Sequence, residues 1–79
     1  MSNTPHELAE EFPNDVEKMQ KLKQANAHFA KLFDEYHEVN GKIHRAETDI
    51  EPMSDEHQTA LRKRRMALKD EIATLLRNA

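Results

Sequence analysis

The chain has 79 residues with a formal net charge of −3, one Gly, three Pro and no Cys or Trp. A length below about 80 residues allows one domain with a small core, and the lack of Cys excludes disulfide bonds, thiolate zinc sites and a Cys nucleophile. Charged residues make up 34% of the chain and the apolar set 37%, as in water-facing helical proteins with narrow apolar stripes. Neither a signal-peptide pattern nor an apolar run of about 18 residues is present, so we expect a cytoplasmic protein that does not contact a membrane.

The first predicted element is a short helix over about residues 5 to 12. Thr4 suits the N-cap, Pro5 suits the first helical position, and Glu7 supplies the acidic residue of a capping box. Pro13 ends the helix because the residue before a proline avoids helical backbone angles. The apolar edge of this helix consists of Leu8 and Phe12.

A long amphipathic helix is predicted over about residues 15 to 50, because apolar side chains keep a seven-residue repeat there. The Asn40–Gly41 dipeptide often marks a turn, but the repeat continues in phase across it, and an interior Gly costs a helix only about 1 kcal/mol. We therefore predict one helix that passes through Gly41. The repeat consists of Leu22, Phe29, Tyr36, Ile43 and Ile50, with Ala25, Leu32, Val39 and Ala46 three residues after the first four.

The second long helix is predicted over about residues 55 to 77, after a turn at residues 51 to 54. Pro52 ends the first long helix, and Ser54 is a suitable N-cap for the second. Such a short connection makes the two helices antiparallel. The predicted fold is all-α: a long, coiled-coil-like antiparallel helical hairpin with a short N-terminal helix, in a single domain over residues 1 to 79. The apolar stripe of the second helix consists of Leu61, Leu68, Ile72, Leu75 and Leu76.

A polar pair is predicted inside this hairpin. If the turn is centred near residues 52 and 53, Asn40 faces Arg65, which occupies a position of the apolar stripe. A single buried polar layer often fixes the register of paired helices. The alternative is that Arg65 lies at the edge of the stripe and extends its guanidinium group into water.

The two long helices differ in length, and this favours self-association. The second helix ends opposite about residue 26, so Val16, Met19 and Leu22 have no apolar cover from the hairpin. The short first helix could fold back over them with Leu8 and Phe12, or two hairpins could form a four-helix bundle. We expect a homodimer or larger assembly, because a narrow hairpin alone is barely stable.

The histidines and carboxylates do not form a recognisable catalytic or metal motif. His37 and His44 are seven residues apart, and Glu47 follows His44 by three, but helical di-metal sites use the order Glu-x-x-His on facing helices. A Gly-rich phosphate loop is absent from the sequence, and thin helices build no large pocket. We therefore predict a protein that is not an enzyme and binds neither a metal nor a cofactor.

A run of four basic residues, 62 to 65, is the remaining candidate site. Residues 54 to 79 carry six Lys or Arg and four Asp or Glu, whereas the rest of the chain is acidic. In a helix the four side chains point in different directions, and a nucleic-acid-binding protein usually has a larger positive charge. The leading hypothesis is a noncatalytic module that binds an unidentified protein partner or itself, and the alternative is binding of nucleic acid. The candidate surface consists of Arg62, Lys63, Arg64 and Lys69.

The stretch "HRAETDIEPMSDEHQTALRKRRMALKDEI" resembles the YdcH-like family, as do the upstream segments "EEFP" and "HFAKLFDEYHEVN". The resemblance covers about residues 6 to 76. Its most specific parts are His44, Arg45 and Glu47, together with Leu-Lys-Asp-Glu-Ile at residues 68 to 72. Gly41 departs from the charged residue that is usual at this position. The resemblance implies a small, mostly proteobacterial, cytoplasmic helical hairpin, and it implies no activity because the family is a domain of unknown function.

Overall fold

The computed structural model describes residues 5–48 and 53–79. In these ranges the chain forms α1 (Leu8–Glu11), a short 3-10 helix (Pro13–Asp15), α2 (Val16–Ala25), α3 (Ala27–Glu47) and α4 (Asp55–Asn78), with no strand. The most extensive packing is between α3 and α4, which confirms the predicted helical hairpin with a short N-terminal helix. In the described part of the chain, every helix is too short or too polar to span a membrane.

The hairpin core follows the predicted repeat. Phe29, Tyr36 and Ile43 of α3 are completely buried, as is Ile72 of α4, and Leu68 is nearly so. Helix α4 begins where expected, since the Ser54 hydroxyl accepts a hydrogen bond from the His57 backbone N–H at 3.1 Å. The predicted turn residues 51 and 52, and Ile50 of the repeat, lie outside the described residues.

The predicted single helix over residues 15 to 50 is wrong at Asn26, although α3 does pass through Gly41. Asn26 has φ −134° and ψ 107°, so its extended backbone separates α2 from α3. Its side-chain Oδ1 accepts a hydrogen bond from the Phe29 N–H at 3.1 Å, which makes it the N-cap of α3. This cap offsets about 1 kcal/mol of the cost of the break.

The break at Asn26 brings α2 against the core. Met19 is only 3% exposed, and Leu22 packs against the buried cluster. The expectation that the hairpin gives these two side chains no apolar cover is therefore wrong, whereas Val16 is 40% exposed. Burying a Met side chain is worth about 1.5–3 kcal/mol, which favours the bent arrangement of α2 and α3.

The predicted helix over residues 5 to 12 is also shorter than expected, and its proposed cap Thr4 lies outside the described residues. Helix α1 begins at Leu8, and Glu7 is its N-cap without a side-chain hydrogen bond. His6 has φ 63°, in the left-handed region, which interrupts a right-handed helix. The carbonyl groups of Pro5 and His6 instead accept hydrogen bonds from side chains of α3.

We refer to residues 5–25 as the N-terminal arm. Leu8 of this arm is 1% exposed, and Phe12 packs beside it on the core. Of the two arrangements considered for covering the long helix, the arm therefore adopts the fold-back of Leu8 and Phe12. This fold-back places the arm beside the middle of the hairpin and forms the site described next.

Candidate functional site

A half-open cleft of about 340 Å³ lies where the N-terminal arm meets α3 and α4. It is the place where polar groups from three parts of the chain converge. A second groove, of about 520 Å³, has a larger volume, but it is lined by residues of α3 alone. The cleft is lined by His6, Glu11, Tyr36, Arg62, Arg65, Met66 and Lys69.

Asn40 connects the three parts of the chain behind this cleft. Its side chain is 2% exposed, its Nδ2 donates to the Pro5 carbonyl at 2.9 Å, and its Oδ1 accepts from Arg65 Nη1 at 2.9 Å. The pair of Asn40 and Arg65 expected from the hairpin register is therefore present. The third partner, the Pro5 carbonyl, was not foreseen, because the arm was expected to be helical there. That this layer fixes the register stays a prediction.

Tyr36 anchors the arm next to Asn40. The Tyr36 hydroxyl donates a hydrogen bond of 2.6 Å to the His6 carbonyl, and the residue is completely buried. Burial, together with the nearby charge of Glu11, raises the pKa of Tyr36 to about 12. The phenol is therefore protonated at neutral pH and acts as a hydrogen-bond donor.

Glu11 links the arm to α4 on the other side of the cleft. Its Oε1 lies 3.0 Å from His6 Nδ1 and 3.3 Å from Lys69 Nζ. The hydrogen bond from His6 has the largest effect and lowers the pKa of Glu11. Burial acts in the opposite direction, and Lys69 lowers the pKa further. The carboxylate is therefore ionised at neutral pH.

Three of the four basic residues of the candidate surface are engaged within the chain. Arg62 pairs with Glu47 at 3.2 Å, Arg64 Nε donates to Glu35 at 2.7 Å, and Lys69 pairs with Glu11. They had been expected to remain free for a partner. Lys63 is exposed and forms no ion pair within residues 5–48 and 53–79. The surface therefore consists of three paired cations and the exposed Lys63 along α4.

Met66 is the feature of the site that the sequence reasoning missed. Its side chain is 65% exposed, the most exposed large apolar side chain in the part of the chain that the structure describes. It follows Arg62 by four residues and precedes Lys69 by three, so the three share one face of α4. The sequence contains one signal for this feature: Met66 is apolar but lies outside the stripe of Leu61, Leu68 and Ile72.

Three of the five histidines each lie beside a single carboxylate among the described residues. His37 Nε2 lies 3.0 Å from Glu7, and its Nδ1 donates to the Phe33 carbonyl at 2.9 Å. His28 lies 2.9 Å from Glu71. Across residues 5–48 and 53–79 there is no group of three His, Cys, Asp or Glu placed to hold a metal ion. His37 links the N-terminal arm to α3.

The fold and the cleft define a small helical-hairpin protein with an N-terminal arm docked on the hairpin. Residues 29–76 match the model of a family described as protein of unknown function DUF465, and the chain belongs to this family, which is the YdcH-like family. The match runs from the first turn of α3 almost to the end of α4, and it does not include the N-terminal arm. Comparisons with curated proteins and with solved structures found no match.

Proposed function

We propose that the protein is a noncatalytic interaction module of the cytoplasm that binds an acidic, amphipathic segment of a protein partner at the cleft beside Met66. The observation that carries this proposal is the exposed Met66 side chain among basic residues of α4. Exposed methionines are common at adaptable protein-binding surfaces. A partner would cover Met66 with an apolar side chain.

The charges around Met66 indicate the chemistry of the partner. Lys63 is exposed and precedes Met66 by three residues, and Arg62 lies one turn before it. The chain itself provides an example of the recognition, since Glu11 of the arm lies against Lys69 on the same cleft. A carboxylate of a partner would interact with the exposed Lys63 in the same way, which gives orientation and fast association.

Glu11 and Tyr36 of the cleft support binding rather than catalysis. General acid–base catalysis requires a group whose pKa lies near the working pH. The pKa of Glu11 is lowered and that of Tyr36 is raised to about 12, so both shifts move away from neutrality. Both groups also hold the arm in place, since Glu11 accepts a hydrogen bond from Lys69 of α4 and the Tyr36 hydroxyl donates one to the His6 carbonyl. Their arrangement suits a fixed binding surface.

Nucleic acid is the less favoured ligand of this surface. Arg62 and Arg64 already lie beside Glu47 and Glu35, and the formal net charge of the chain is −3. Neighbouring carboxylates reduce the positive potential that attracts phosphates. An exposed apolar side chain is also better matched by a protein than by a phosphate backbone.

The proposal is tested by capture of partners from a nuclease-treated cell extract with wild type, Met66→Ser and Lys63→Glu. We expect proteins bound by the wild type to bind about tenfold more weakly to each variant, because each change removes an apolar or electrostatic contact at the centre of the surface. Both side chains are exposed, so the free energy of unfolding should change by less than about 0.5 kcal/mol.

Lys31→Glu is the matched control, since Lys31 is an exposed lysine of α3 away from the cleft. It should retain the partners that Met66→Ser and Lys63→Glu lose. Equal retention by all four proteins would contradict the proposed surface. Loss of every bound protein after nuclease treatment would favour nucleic acid instead.

A further inference from the structure

The junction between α2 and α3 is a single residue, and both helices are in phase across it. Helix α2 ends at Ala25 and α3 begins at Ala27. Leu22 and Phe29, and likewise Ala25 and Leu32, keep the seven-residue spacing over the break. Residues 14 to 40 contain neither Pro nor Gly. The sequence therefore permits a continuous helix through Asn26 as well as the bent form.

The backbone bonds at this junction can be exchanged at little cost. In the bent form Asn26 Oδ1 accepts from the Phe29 N–H, and the Asn26 N–H still bonds to the Leu22 carbonyl at 2.8 Å. In a continuous helix the Phe29 N–H would bond to the Ala25 carbonyl instead. A continuous helix would also give the Ala27 and His28 N–H groups carbonyl partners in α2. No backbone hydrogen bond is therefore lost on straightening, and the balance between the two forms is set by where the N-terminal arm docks.

We infer that two copies of this chain exchange their N-terminal arms: α2 and α3 straighten through Asn26, and each arm docks on the hairpin of the other copy. A very short hinge between packed elements is the feature that makes such exchange accessible. The proposed occupant of each docking surface is thus a second copy of this chain. The inference is independent of the proposed binding of an acidic partner.

The contacts that hold the arm identify a second arm as the occupant. The hairpin presents the Tyr36 hydroxyl, the Asn40 amide and Lys69, which match the His6 carbonyl, the Pro5 carbonyl and Glu11 of the arm. The apolar cluster receives Leu8 and Met19 of the arm. An identical arm from another copy would satisfy every one of these groups, and a two-fold axis near Asn26 would make the exchange mutual.

Two substitutions at the hinge shift the equilibrium in opposite directions. Asn26→Ala removes the cap of α3 and adds a strong helix former, so we expect the dissociation constant of the dimer to fall about tenfold or more in sedimentation analysis. Ala27→Pro places a proline at the first position of α3, where it is well tolerated. It also disfavours a helical Asn26, so this variant should stay monomeric at concentrations where the wild type dimerises.

A spin label on the N-terminal arm tests whether the arm of one copy docks on the hairpin of another. Ala9→Cys places the label on an exposed position of α1 in a chain without other cysteines. This chain is mixed with isotope-labelled copies that lack the spin label. In the exchanged dimer, the label should broaden the Tyr36 ring signals of the other copy. The Ala27→Pro background should show no such broadening.

Three outcomes would overturn the inference. They are an Asn26→Ala protein that is no more dimeric than wild type, an Ala27→Pro protein that dimerises as wild type does, and a dimer without broadening at Tyr36. If Asn26→Ala does not fold, wild type and Ala27→Pro decide the question alone. A wild type that is monomeric at millimolar concentration would then contradict the exchange.

Discussion

At the scale of single residues, Asn40 and Tyr36 convert a two-helix hairpin into a three-part structure. Asn40 is 2% exposed and bonds to both the arm and α4, while Tyr36 bonds to the next carbonyl of the arm. A buried polar group is tolerated only when its hydrogen bonds are made. These two side chains therefore favour one position of the arm on the hairpin over other positions that would bury as much apolar surface.

Asn40→Ala should lower the free energy of unfolding by about 1–3 kcal/mol, because it leaves the Pro5 carbonyl and Arg65 without their buried partner. Urea denaturation measures the change. Asn14→Ala is the control, since Asn14 is exposed, and it should change stability by less than about 0.5 kcal/mol. An effect of Asn40→Ala as small as that of the control would contradict the role given to the layer.

At the scale of elements, the sequence predicted the hairpin better than the arm. Leu68 and Ile72 face the heptad residues of α3. The short connection between the helices and their shared seven-residue repeat allow few other ways to pair them. The break at Asn26 was missed because the heptad phase continues across it. What decides the break is the burial of Met19, a tertiary effect that outweighs the local preference for a continuous helix.

Helix α3 also contains a position where stability can be gained. Gly41 lies inside the helix without a positive φ, and a Cβ added there would lie 3.4 Å from the end of the flexible Arg45 side chain. Gly41→Ala should therefore raise the free energy of unfolding by about 0.5–1 kcal/mol. In thermal denaturation this corresponds to roughly 2–8 °C in Tm.

The reverse change at an exposed helical alanine, Ala67→Gly in α4, is the control and should lower Tm by a similar amount. A lower Tm for Gly41→Ala would contradict this account of α3. It would show that the contact between Gly41 and the Arg45 side chain cannot relax.

At the scale of the whole molecule, the arm supplies the apolar cover that the hairpin lacks. The sequence indicates that the end of the long helix needs cover, either by the fold-back of Leu8 and Phe12 or by the association of two hairpins. Association was the favoured expectation and stays a prediction, whereas the structure has the fold-back. The fold-back could not be predicted, because the left-handed backbone of His6 and the hydrogen bonds from Tyr36 and Asn40 depend on tertiary contacts. Met66 likewise could not be identified as part of a site from the sequence, because its neighbours on the cleft are known only from the structure.

The central claim is that the N-terminal arm docks on the hairpin through Tyr36, and nuclear Overhauser contacts to the Tyr36 ring test it most directly. Tyr36 is the only tyrosine of the chain, so its ring signals are unambiguous. With the hydroxyl 2.6 Å from the His6 carbonyl, we expect contacts from the ring to His6 in dilute, monomeric protein. A Tyr36 ring without contacts to the arm, in a protein that is otherwise helical, would contradict the account.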